Sequence, residues 1–149
     1  MRVSCVILAR GGSKGIPKKN IIDFCGKPLI AWTILQAIEA REVTDVWVSS
    51  DSDEILGIAK HYGANTIVRP EKISGDDEPS ESAWLHAINF IEQQSEHPID
   101  FVLAPQVTSP LRHAADFSNA ITQIKADGVD SLFSVTTIED FFIWRKNAF

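Results

Sequence analysis

An α/β fold, with a mostly parallel sheet and helices on both faces, is predicted by three observations. Short apolar runs alternate with segments of helical spacing. The first run is apolar without interruption. The glycine-bearing and cationic loops follow the runs, at what would be the strands' carboxyl ends. Ser4 to Ala9 is that first run, the pattern of a central parallel strand buried on both faces. Leu29 to Ala40 has helical spacing, and Val46 to Ser49 is a second strand. Ser52 to Tyr62 is a helix with Asp53 and Glu54 in its first turn, and Gly63 stands where a C-terminal cap is wanted. Thr66 to Val68 is a third strand. After the loop Arg69 to Pro79, Ser80 to Gln94 forms an amphipathic helix, and Ile99 to Leu103 is the next strand. Ala114 to Ala126 is helical with Gly128 just past its end, and Ser131 to Val135 is predicted as a last strand.

A chain of 149 residues fits one domain, which at this size buries roughly 68–70% of its unfolded surface and needs no covalent staple. Cys5, inside the first strand, and Cys25, beside Gly26, fit reduced thiols better than a disulfide or a metal site. No secretory leader pattern precedes Arg2 and no apolar run reaches the ~18 residues of a membrane span, so a cytoplasmic protein without membrane partners is expected. The net charge of −6 is unevenly spread. Through Lys27, Arg2, Arg10, Lys14, Lys18, Lys19 and Lys27 face Asp23 alone, giving +5 there and −11 in the remainder. A basic pocket on an acidic body suits a small polyanion and disfavours nucleic acid, whose long backbone the surrounding surface repels.

The densest chemistry lies in Leu8-Ala-Arg-Gly-Gly-Ser-Lys-Gly-Ile-Pro-Lys-Lys-Asn20, where three glycines, a hydroxyl and four cations share the loop after the first strand. Glycine lets backbone N–H groups approach an anion, and lysine and arginine hold phosphate oxygens, so the stretch reads as a triphosphate cradle. It is neither of two familiar ones. Ile16 stands where a P-loop counted from Gly11 needs its second glycine, and no G-x-G-x-x-G occurs.

With its context the loop resembles the signature of the acylneuraminate cytidylyltransferase family, which transfers CMP from CTP to acidic keto-sugars. Four further segments fall in that family's order: Gly26-Lys-Pro-Leu-Ile30, Val48-Ser-Ser-Asp51, Val68-Arg-Pro70 and Gln106-Val-Thr-Ser-Pro-Leu-Arg112. The similarity runs from about Val3 to Val135, and departs at Val107, where many members carry proline. The resemblance implies a Rossmann-like sheet of the nucleotide-diphospho-sugar transferase type. It implies CMP transfer to sialic acid or a related nonulosonate with release of pyrophosphate. The alternatives are a cytidylyltransferase for the eight-carbon sugar KDO, and a truncated module that binds CTP without full catalysis.

Carried over residue by residue, Arg10 and Lys19 would hold the phosphates and stabilise the departing pyrophosphate. Leu8, Ala9, Gly12, Ser13, Asn20, Arg69 and Ser80 would complete the nucleotide site, with Asn20 and Arg69 suited to a cytosine edge. Gln106, Thr108 and Ser109 would line the acidic-sugar side. Structural readings stand beside these: a solvated lysine for Lys14 and Lys18, a turn or cap for Asn20, a helix N-cap for Ser80, and an ordinary strand-to-helix turn for 106–110. Mg²⁺ is expected with CTP. Asp51 could help to place it, Asp53 reads as a first-turn helix acid, and no metal ligand is assigned. The four histidines have no ligand spacing. The apolar end, Phe141-Phe-Ile-Trp-Arg-Lys-Asn-Ala-Phe149, reads as a segment cut short. Residues 1–149 are therefore expected to be a nucleotide-binding domain truncated at its C-terminus, the resembled family continuing into further site residues and a homodimer element.

Overall fold

The computed structural model describes residues 1–13, 15–75 and 78–137. Its frame is a four-stranded sheet in the order β5-β4-β1-β6, parallel throughout, built from β1 (Val3–Leu8), β4 (Asp45–Ser50), β5 (Asn65–Val68) and β6 (Phe101–Leu103). Cys5 lies opposite Val46 on one side and Leu103 on the other, so β1 is central and its apolar run has neighbours on both edges. A short hairpin, β2 (Asp23–Phe24) with β3 (Lys27–Pro28), precedes α1 (Leu29–Glu39). Cys25 at φ 53° and Gly26 at φ 83° make its two-residue turn left-handed at both positions, the form that matches strand twist.

The chain moves from β1 through α1 to β4, and through α2 (Asp53–His61) to β5, always towards one edge. It then returns through α3 (Ser80–Glu92) to β6 on the far side of β1. Because parallel crossovers are right-handed, reversing direction sends the connecting helix to the opposite face. The core divides accordingly. Cys5, Ile7 and Ala9 pack with Ile30, Ile34 and Ala37 of α1, Ile55 and Ala59 of α2, and Phe117 of α4 (Ala114–Asp127). Val6 and Ile67 pack with Ala87 and Ile91 of α3, flanked by Leu8, Trp47 and Ile99. Burying each of the fully covered isoleucines contributes about 1.5–3 kcal/mol.

Helix boundaries follow local chemistry. Ser52 caps α2, its hydroxyl accepting from the Ile55 amide, and Gly63 follows at φ 91°. Asp53 and Glu54 lie in the first turn of α2 as expected, and Gly128, left-handed at φ 61°, ends α4. Ser80 is the first residue of α3 with Pro79 before it and no side-chain cap bond, so the N-cap reading of Ser80 does not hold.

The expected strand at Ser131–Val135 is not formed. Residues 131–137 are irregular, with Phe133 81% and Val135 82% exposed. A β-like pattern states which surface the residues would fit, and among the described residues no ladder hydrogen bond reaches this run. The apolar end from Phe141 to Phe149 lies outside the described residues. No described helix is long and apolar enough to cross a membrane.

Candidate nucleotide site

A cleft of about 560 Å³ opens at the carboxyl ends of β1, β5 and β6, where the strand order reverses. Leu8, Arg10, Ser13, Lys19 and Asn20 line it from the cradle, Arg69 from the end of β5, Ser80 and Ala83 from α3, and Gln106 and Thr108 from the loop after β6. Segments nearly a hundred residues apart in sequence thus share one cavity. Of the other candidates, Ala9, Gly12 and Ser109 do not line it. Ala9 is buried in the core on the α1 side, because strand alternation that turns Leu8 to the cleft turns its successor away. Lys14 lies outside the described residues.

The cradle is held from outside itself. Asp51, one residue beyond β4, accepts a hydrogen bond from the Gly11 amide at 2.9 Å, and the same oxygen stands 3.9 Å from an Arg69 Nη2. Asn20 is buried, and its Nδ2 donates to the Arg10 carbonyl at 3.0 Å, closing the loop on itself. Gly11 is required by close approach: a Cβ there would meet the Ser52 Cβ at 3.0 Å. Gly12 and Gly15 have open space where a Cβ would stand, and neither adopts a positive φ, so their value is not steric relief. The adjacent lysines separate. Lys18 sits in the left-handed region and reaches out to Glu54 at 2.7 Å, whereas Lys19 lines the cleft.

Arg69 is 6% exposed, its amide donating to the Ser50 carbonyl at 2.8 Å and its Nε to the Ser74 hydroxyl at 3.0 Å. Ser74 in turn donates to the Pro70 carbonyl. Burial draws the guanidinium below the ordinary arginine range; the Asp51 carboxylate opposes that shift and neighbouring Arg10 adds to it. Arg10 is near enough to Arg69 for the two cations to repel, and the Asp51 carboxylate stands between the cradle and Arg69. Asp51 is thereby engaged as a brace. Among the described residues no group of three or more His, Cys, Asp or Glu side chains could hold a metal ion.

The wall opposite the cradle is built differently. Arg112 turns back from the end of the 106–112 loop, donating through Nη2 to the Gln106 carbonyl and to the Thr33 hydroxyl at 3.1 Å, and through Nε to Gln36 Oε1 at 3.2 Å. Gln36 Nε2 donates to the carbonyls of Pro110 at 2.7 Å and Arg112 at 2.8 Å. Val107, at the position where the resembled family often has proline, is buried in the core. Behind this loop a second, more apolar cavity of about 740 Å³ is lined by Phe24, Cys25, Trp32, Leu35 and residues 110–115. The sequence offered one hint of this clasp: Thr33 and Gln36 interrupt an otherwise apolar stretch of α1.

A family model described as cytidylyltransferase matches residues 4–142. The N-acylneuraminate cytidylyltransferase A of Danio rerio is 39% identical over 144 residues, spanning 97% of this chain and 32% of that protein. The pseudaminic acid cytidylyltransferase of Campylobacter jejuni is 38% identical over 140 residues, 93% of this chain and 60% of that protein. The chain therefore spans between about a third and three fifths of the length of these two relatives. Among solved structures, a CMP:2-keto-3-deoxy-manno-octonic acid synthetase complexed with CTP superposes with a TM-score of 0.71 at 23% identity, covering 86% of this chain and 49% of that one. That likeness speaks to the fold, which is the nucleotide-diphospho-sugar transferase type.

Proposed function

This chain belongs to the cytidylyltransferase family, and on that premise we propose that its cleft binds CTP and forms the nucleotide half of an enzyme that transfers CMP to an acidic keto-sugar, sialic acid or a related nonulosonate. The observation that carries the reading is the convergence of Arg10, Lys19, Asn20, Arg69 and Ser80 with Gln106 and Thr108 around one cavity. Arg10 and Lys19 hold the triphosphate, Arg69 and Asn20 face the cytosine, and Gln106 and Thr108 face the sugar. The anomeric hydroxyl attacks the α-phosphate, the bond to the β-phosphate breaks, and pyrophosphate leaves. Positioned cations supply most of the assistance such a transfer needs, because charge builds on the departing oxygens.

Mg²⁺ fits the described residues poorly as a protein-held ion, since among them no group of three or more His, Cys, Asp or Glu side chains could hold it and Oδ1 of Asp51 already accepts from the Gly11 amide. It would be carried on the phosphate oxygens of the nucleotide. A cytoplasmic setting, homodimerisation of the full-length enzyme and indifference to nucleic acid complete the proposal, the last supported by the net charge of −6. Calorimetric titration tests the base reading: CTP should bind at least about tenfold more tightly than UTP, because a site built to pair with one base edge is left with unmet partners by the other. Equal affinities would remove base selection. Pyrophosphate release with CTP and sialic acid tests the reaction itself.

A further inference from the structure

The geometry points to Arg112 as a positioning residue that, with Gln36, sets the sugar-facing wall of the cleft without touching substrate. This inference rests on the reading of Gln106 and Thr108 as the sugar side. Arg112 does not line the cleft; its guanidinium lies behind the loop, 5.2 Å from the Phe117 ring centroid. Its hydrogen-bond partners named above are neutral, a carbonyl, a hydroxyl and an amide. Burial accordingly draws it below the ordinary arginine range.

What that half-buried charge accomplishes is geometric. One Nη2 fixes the Gln106 carbonyl, at the loop residue that enters the cleft, to the Thr33 hydroxyl, which is fully buried in α1. Gln36 holds the other end of the same loop through both Pro110 and Arg112 carbonyls. The loop is thus clamped at Gln106, its first residue, and at Pro110 and Arg112 near its end, leaving Thr108 between the clamps and on the cleft. A planar fork serves this better than a point charge, because three acceptors at different bearings must be met at once. Supporting side chains of this kind decide whether first-contact groups sit at the productive distance or beyond it.

The test uses Arg112→Lys, which keeps the charge and loses the fork, and Gln36→Glu, which keeps the shape and the acceptor and loses both donors. The chain saturated with CTP is titrated with N-acetylneuraminate, and amide exchange is followed over residues 106–112. Both variants should bind the sugar about tenfold or more weakly, with CTP affinity changed less than about twofold, and exchange in the loop should rise about tenfold while α3 is unaltered. Unchanged sugar affinity or unchanged loop exchange would overturn the assignment. A parallel loss of CTP affinity would overturn it too, since it would show general damage. Should the unsubstituted chain take CTP and no acidic sugar while the variants still loosen the loop, the reading of this wall as the sugar side fails, and the positioning role falls with it; loss of CTP binding by the unsubstituted chain would instead strike the nucleotide reading.

Discussion

The two walls of the cleft use arginine in opposite ways. On the cradle side Arg10 and Arg69 face the cavity, and the scaffold around them is a carboxylate from beyond β4, Asp51, and an amide from the cradle's own end, Asn20. On the far side Arg112 faces away and is itself the scaffold, holding a loop whose cleft-lining members are uncharged. The difference follows from charge. The cations that line the cavity are braced by a carboxylate and an amide beside them, whereas the uncharged far wall is braced by a half-buried cation that faces away from the cavity. Disturbing the cradle should therefore cost both stability and nucleotide affinity, and disturbing the far wall should leave the nucleotide alone.

The largest effect is expected from Asp51→Ala, which strips the acceptor from the Gly11 amide and the carboxylate from beside a buried Arg69. Stability should fall by about 1.5–3 kcal/mol in a urea titration, the worth of a hydrogen bond to a charged group. A loss within about 0.5 kcal/mol, the range of an unremarkable surface change, would refute the brace.

Next comes the pair of adjacent lysines. Lys19→Ala should weaken CTP binding by roughly 1.5–3 kcal/mol, the worth of a charged contact to phosphate. Lys18→Ala breaks only an exposed pair with Glu54 and should cost less than about 1 kcal/mol in stability, leaving CTP affinity intact. Superimposable CTP isotherms for the two variants would show that the cleft does not distinguish them.

Smaller still is the glycine contrast. Gly11→Ala pushes a methyl group against Ser52 and should destabilise by about 1–3 kcal/mol, whereas Gly12→Ala meets open space and should stay within about 0.5 kcal/mol. Thermal melts of the two proteins decide it. Equal melting temperatures would mean that the loop moves aside at no cost.

The smallest effect probes the independence of the walls. Cys25 is exposed in the hairpin turn and lines the cavity behind the far wall, while Cys5 is buried and its thiol is held well above the ordinary cysteine range by that burial. Iodoacetamide should label Cys25 and spare Cys5 in the folded chain, with no change in CTP affinity. Mass spectrometry of the peptides together with a repeat titration reads both; labelling of Cys5, or a CTP affinity that falls with Cys25 alkylation, would contradict the separation.

By itself the sequence determined the alternation of strands and helices, because apolar periodicity and glycine stops are local properties, and α1, α2 and α4 begin and end within a residue or two of where composition places them. It also determined which loops carry chemistry, since the cradle, Arg69 and Gln106 each follow a strand and α/β sheets present ligands at that end. Tertiary structure alone decided the rest. Strand order, which brings Leu8, Arg10, Lys19, Asn20, Arg69, Ser80, Gln106 and Thr108 to one cavity, depends on a reversal of direction that no local pattern encodes. Ser131–Val135 has the pattern of a strand and is not one, because a ladder needs a neighbour as well as a pattern. The family resemblance singles out Lys19 over Lys18, but the physical ground for separating them is tertiary, a left-handed backbone at Lys18 and Glu54 within its reach. The roles of Asp51 and Arg112 rest on partners 40 and more than 70 residues away, so their hydrogen bonds exist only once the sheet has brought those partners together.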